Sequence, residues 1–255
     1  MIFFNFLLKF FSFVSHSSSF AACLNLSNWD FFVMPDLYLF ADEAGCFEFS
    51  RKPNVSHYFI LCTIIAPDCE VGDALTELRR KLAWEGHELG DYFHATTDKQ
   101  AVRDEVYATI LNYDFSIQAT IMEKPKSQPH LRTSRDRFYQ YAWYYHFKHR
   151  LNGQFMPNTK TLVTTASLGS KKERKAFESA VSNVLKQEAI GEYKTDFCPA
   201  AADPCLSVVD YCAWAIQRKW EAKAKGRQDE RSYSLIENRI TAEYDLWNRG
   251  SELYY

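Results

Sequence analysis

The clearest pattern along the chain is HYFILCTIIAP, residues 57–67, a near-continuous apolar run closed by Pro67. Such a run fits a central strand covered on both faces. Upstream, residues 37–41 of LYLFADEAG are apolar, with Tyr and Phe, and predict another strand. Gly45 and the polar SRKPN at 50–54 mark the turn between the two. Residues 70–84 carry Val71, Leu75, Leu78 and Leu82 at helical spacing. Thr97-x-x-Gln100 has the form of a capping box and opens a predicted helix to about Asn112, with Val102, Val106 and Ile110 as its apolar stripe. Phe115 to Met122 alternates and predicts a strand. Residues 135–151 predict an aromatic-rich helix, and 159–167 a strand. Ser170-x-x-Glu173 is a second capping box, opening a helix through about Lys186, and 193–198 predicts a short strand. Asp203-Pro204 pairs an acidic cap with proline at the first helical position, and the helix CLSVVDYCAWAIQRKWEAKAK follows. RSYSLIENRITAEYDLW predicts a last helix over most of the tail.

Alternating strands and helices, with a hairpin-like pair of strands first, predict one α/β domain with a mixed sheet flanked by helices. The 255 residues, 47% hydrophobic and 24% charged, suffice for a sizeable core and exclude a disordered chain. A formal net charge of -2 excludes a protein that lives by non-specific attraction to nucleic acid, so any such contact uses a local patch. The seven cysteines are irregularly spaced without a CxxC, which removes zinc-ribbon and thioredoxin readings and suits reduced, mostly buried thiols in the cytoplasm. No P-loop, GxGxxG, GxSxG or HExxH occurs, so NTPase, dinucleotide, α/β-hydrolase and zincin readings have no motif.

The first 23 residues contain an apolar run of signal-peptide length ending in Phe20-Ala21-Ala22-Cys23, loosely like a lipoprotein cleavage site. The usual basic start is missing, because Lys9 sits inside the run. Met34 precedes Pro35-Asp36 and the first strand directly. The expected organisation is therefore an extension at 1–33 outside the fold and a domain at 34–255 that needs no membrane, with secretion or lipid anchoring through 1–23 as the competing reading.

Asp42 and Glu43 stand back to back where the first strand runs out. They suit a turn, or a hard-metal site, since Mg²⁺ takes one or two carboxylates plus water and phosphate. Adjacent strand residues face opposite sides, so Asp42 is the expected ligand. Asp210 lies mid-helix among Leu206, Val208, Val209, Tyr211 and Cys212, which is costly unless the acid is paired or ligating. Asp203, Asp210, Trp214 and Glu221 fall near one helix face. His94, in YFHATTD, precedes a helix start that can hold an anion, and Asp98 suits the first turn of that helix. Basic residues cluster at Lys171, Lys172, Arg174 and Lys175, and from Arg218 to Arg231, as phosphate-tracking groups or as solvated faces.

Taken together, DEAG, FHATTD, DPCLSVVDYCAWAIQRKWE and DERSYSLIENRI resemble a widespread prokaryotic family known as domain of unknown function 3800, over roughly residues 37–255. The resemblance implies a ribonuclease-H-like fold with an acidic, metal-binding centre, in a family found in part near mobile elements and defence genes. Carried over, the strand-end acids are Asp42 and Glu43, the histidine is His94 and the helix acid is Asp210. Tyr92 stands where many members have an acid, and Thr164 and Thr165 stand where a full centre carries a further one. The expected activity is Mg²⁺- or Mn²⁺-dependent cleavage of RNA or DNA, with Asp42 and Asp210 as metal ligands, Glu43 in support and His94 orienting phosphate or moving a proton. The alternative is a catalytically reduced domain that binds nucleic acid or a protein partner.

Overall fold

Tyr58–Ala66 forms strand β2, and every residue in it is buried, as a strand covered on both faces requires. The computed structural model describes residues 35–151, 158–167, 169, 171–188 and 191–255. The expected extension at 1–33 and the cap at Ser170 lie outside the described residues, as do the side chains of Lys171 and Lys172. The other strands are β1 (Leu37–Ala44), β3 (Ser116–Glu123), β4 (Lys160–Ala166), β5 (Glu192–Cys198) and β6 (Ile240–Asp245). They form one sheet in the order β5-β4-β1-β2-β3-β6. β2 runs antiparallel to both neighbours, and the remaining pairs are parallel. The α/β class and the mixed sheet are as expected, within one compact body from Pro35 to Tyr255.

The helices are α1 (Glu70–Trp84), α2 (Gln100–Ile110), α3 (Arg135–His146), α4 (Lys171–Glu188), α5 (Pro204–Ala224) and the short α6 (Arg231–Ile236). They cover both sides of the sheet. Tyr38 and Phe40 of β1 and Ile60, Cys62 and Ile64 of β2 pack with the apolar faces of α1, α2 and α5. Leu39 and Ala41, with Phe59 and Leu61, pack against Phe138, Tyr139 and Trp143 of α3 and Phe177 and Val181 of α4. The two-residue alternation of β1 thus decides which helical layer each side chain meets. Among the described residues no helix is long and apolar enough to cross a membrane.

Three expectations are corrected. The final predicted helix is helical only over Arg231–Ile236; after a 3₁₀ turn at Glu237–Arg239 the chain becomes β6. β6 pairs in parallel with β3, which gives the outer hydrogen-bonding groups of that strand a partner. Thr97 does not cap α2. The helix starts at Gln100, Lys99 takes the cap position without a side-chain bond, and the Thr97 hydroxyl donates to the His94 carbonyl at 3.3 Å. Asp98 is not in a first helical turn either, because it precedes α2 and is buried.

Gly45 ends β1 with φ of +105°, a conformation that L side chains rarely adopt. A Cβ there would lie 2.5 Å from the Tyr58 carbonyl oxygen and 3.1 Å from Ser56 Oγ. Gly45→Ala is expected to cost about 1–3 kcal/mol, read as a lowered urea midpoint; an unchanged midpoint would show that this turn is not held as described.

Candidate active site at the end of the central strand

β1 does not stop at Ala41. Its pairing with β2 continues through Asp42↔Cys62, Glu43↔Leu61 and Ala44↔Ile60 without a bulge. The two acids therefore occupy successive positions of a regular strand and face opposite layers. Asp42 lies on the Tyr38 and Phe40 side, beneath α5. Glu43 lies on the Leu39 and Ala41 side and hydrogen-bonds the Tyr139 phenol of α3.

Asp210 comes from α5. The Asp203 carboxylate accepts the Cys205 N–H at 2.9 Å and fixes the helix start, as expected. Seven residues on, about two turns, Asp210 is nearly enclosed, with 13% of its side chain exposed. Its oxygens are engaged by the loop before α2. Oδ1 lies 3.1 Å from His94 Nδ1, and Oδ2 accepts the Ala95 N–H at 2.7 Å. Asp98 completes the clasp by accepting the His94 N–H at 2.8 Å and the Tyr211 hydroxyl at 2.5 Å. Arg103 ties the same loop to its own helix by donating to the carbonyls of Ala95 and Asp98. The amides of His94 and Ala95, in the loop just before the helix start expected to hold an anion, thus donate to the protein's own carboxylates. His94 Nε2 makes no hydrogen bond to a described residue.

The charges acting on these groups are mostly of one sign. Burial first, then Glu43 and Asp210, push the Asp42 carboxyl well above the usual carboxylate range; the Glu43 N–H, 2.9 Å from Oδ1, and His94 act against this. Burial pushes Glu43 up to about 8, with Asp210 adding to the rise and the Tyr139 hydrogen bond opposing it. Glu43 Oε2 is buried without a hydrogen-bond partner. The Asp210 hydrogen bond raises His94 above the ordinary histidine value, against the effect of burial. No lysine or arginine figures among the charges that act on Asp42 or Glu43. Tyr92 stands beside this group: its phenol is raised by burial and then by Asp210 and Asp42, and its ring lies 5.8 Å from that of His94.

The sheet thus brings Asp42, Asp210 and His94 together on one face and sends Glu43 to the other. Thr164 and Thr165 on β4 align with Phe40 and Ala41, so β4 brings no acid at these positions. Among the described residues, no group of three or more His, Cys, Asp or Glu side chains is gathered closely enough to cage a metal ion. The donors that do converge, the carboxylate of Asp42 and that of Asp210 with His94 on its Oδ1, fit a hard divalent cation that keeps most of its waters or takes phosphate oxygens. Part of the late basic run is paired: Arg218 with Asp229, and Arg231 with Asp104 of α2 at 2.8 Å.

Sequence reasoning missed Tyr139, which nothing separates from the other aromatics of α3. It also missed Cys46, four residues past Asp42. Burial raises this thiol, but hydrogen bonds from the Ser56 hydroxyl and from the Glu48 and Ser56 backbone, then the Lys124 charge, bring it down to about 7. The buried Lys124 ammonium donates to the carbonyls of Cys46 and Glu48 at 3.0 and 2.8 Å.

No known family model matches the chain, and no curated protein matches it.

The raised carboxyls set the pH dependence of stability. A carboxyl whose folded pKa exceeds its unfolded value of about 4 binds its proton more tightly when folded. Its contribution is complete below about pH 4 and is lost as pH rises through the folded value. His94, also raised, acts in the same direction above its unfolded value. The metal-free protein is expected to melt at lower temperature at pH 8 than at pH 6. Asp42→Asn is expected to raise the pH 8 melting point and flatten the slope. A wild-type melting point that climbs over this interval, or a destabilised Asp42→Asn at pH 8, would contradict the electrostatics described.

Proposed function

We propose that this protein is a metal-dependent phosphodiester hydrolase acting on RNA or DNA, built on a ribonuclease-H-like fold. The observation that carries the reading is the meeting of a mid-helix acid, Asp210, with the acid at the end of the central strand, Asp42, where burial and the neighbouring acids hold the Asp42 carboxyl high and His94 offsets them only in part. Carboxylates crowded together in a partly buried site are costly, and a hard cation bound to phosphate removes that cost. The fold part of the proposal is supported by the sheet: three consecutive antiparallel strands, with β4 and then β5 added in parallel on the β1 side. The resemblance of DEAG, FHATTD and DPCLSVVDYCAWAIQRKWE to the domain of unknown function 3800 family supports the same reading.

Asp42 and Asp210 would hold Mg²⁺ or Mn²⁺. Such an ion, when bound, polarises a phosphoryl oxygen and makes coordinated water a nucleophile near neutral pH. The protein contributes position and a proton. Asp210 holds His94 through Nδ1 and favours the imidazolium, so Nε2–H can protonate the oxygen leaving phosphorus. Glu43 and Tyr139 brace the end of β1 from the opposite layer.

The second reading, a catalytically reduced domain that binds nucleic acid or a protein partner, is favoured by Thr164 and Thr165 in place of a further acid. Cleavage assays on mixed single- and double-stranded RNA and DNA separate the two. Wild type is expected to cut with Mn²⁺ or Mg²⁺ and not in chelator. Asp42→Asn is expected to abolish cutting, and His94→Gln to slow it by about 100-fold or more. Absence of cutting with either metal, or cutting indifferent to Asp42→Asn, would overturn the hydrolase reading.

A further inference from the structure

The face of α3 turned away from the sheet is aromatic. Phe138, Tyr139, Ala142 and Trp143 point into the core, while Tyr141, Tyr144 and Tyr145 remain half-buried. Their rings form a continuous stripe: Tyr141 and Tyr145 lie 4.6 Å apart between centroids, and Tyr144 and Tyr145 5.1 Å. Trp247, beyond β6, extends it at 6.3 Å from Tyr141 with only 22° between the planes. Two cavities, of about 340 and 420 Å³, open along this stripe and share His130, Leu131 and Tyr141 in their walls.

Charge decides what such a groove suits. Arg137 lines the first cavity and Arg249 the second; both are exposed, and neither forms an ion pair among the described residues. By contrast Arg135, near the start of the same helix, is paired with Glu173 at 3.2 Å. One carboxylate, Glu252, lines the groove, and it accepts the Tyr254 hydroxyl at 3.0 Å. A purely apolar partner would leave both guanidinium groups facing it uncompensated. An acidic peptide would satisfy them but would make little of a row of ring faces. Single-stranded nucleic acid offers what both features need, phosphates at regular intervals and bases whose faces are free to stack.

We propose that the groove formed by Tyr141, Tyr144, Tyr145 and Trp247, flanked by Arg137 and Arg249, binds single-stranded nucleic acid. Bases stack on these half-buried rings and the guanidinium groups hold phosphates. A duplex, with its bases already stacked on one another, cannot use the rings. The inference rests on the nucleic-acid reading given above and narrows its substrate class. The groove lies on the helix that braces Glu43 through Tyr139, on the side of the sheet opposite Asp42 and Asp210.

The test is fluorescence anisotropy with a short labelled oligothymidine, an oligouridine and a duplex of equal length, on the full chain in chelator so that nothing is cut. The single strands are expected to bind more tightly than the duplex and to quench Trp247. Tyr145→Ala is expected to weaken single-strand binding by on the order of tenfold. Arg137→Ala with Arg249→Ala is expected to flatten the salt dependence by about 0.7 per phosphate contact removed. Binding should survive Asp42→Asn, which separates this inference from the hydrolase reading. Cutting that depends on Asp42 while the groove variants bind as wild type overturns the inference alone; groove-dependent binding without cutting overturns the hydrolase alone. Equal affinity for duplex, or a dimer that the groove variants dissolve, would also overturn the inference.

Discussion

Asp210 is the residue on which the arrangement depends. A carboxylate in the middle of an otherwise buried helix face is tolerable only if its lone pairs are used. Here they are used by a loop: the Ala95 amide takes one oxygen and the His94 ring the other. That single clasp fixes three things together. It sets how the 91–98 loop lies on α5, it orients the His94 ring, and it holds an acid near the end of β1. Asp98 and Arg103 repeat the tie from the side of α2, through the Tyr211 hydroxyl and two loop carbonyls. A position set by several interlocking bonds is rigid, which catalytic groups need.

The sheet supplies the other half. Because β1 continues regularly through Asp42 and Glu43, strand alternation sends one acid to each layer. Asp42 joins Asp210 and His94, while Glu43 is set against Tyr139, with an oxygen that no group among the described residues satisfies. The consequence is a folded state loaded with carboxyl groups that would rather hold protons. Stability is spent at the sheet end, as is common where function rather than packing selects the residues.

Much of this was legible in the chain. The buried run of β2, the apolar stripes of α1 and α5 and the Asp203-Pro204 helix start are local signals, and each element appears within a residue or two of its expected place. Asp210 was legible because an acid among Val208, Val209 and Tyr211 breaks the pattern of its helix. What failed depended on contacts distant in sequence. RSYSLIENRITAEYDLW has helical spacing at Tyr233, Ile236 and Ile240, yet its second half pairs with β3, more than a hundred residues earlier. Thr97 and Asp98 matched a helix-start pattern, but His94 and Tyr211 compete for their polar groups. The partnership of Tyr139 with Glu43 had no local signature, since any of several tyrosines in α3 reads alike.

The central claim is that the carboxylates of Asp42 and Asp210 jointly hold a divalent cation. Its most direct test is an anomalous difference map from crystals of the protein soaked in Mn²⁺. One manganese peak is expected within coordination distance of both carboxylates, absent in Asp42→Asn. At saturating Mn²⁺, an ordered Asp42 and Asp210 with no peak between them would contradict it, and would make the acids of this sheet end structural.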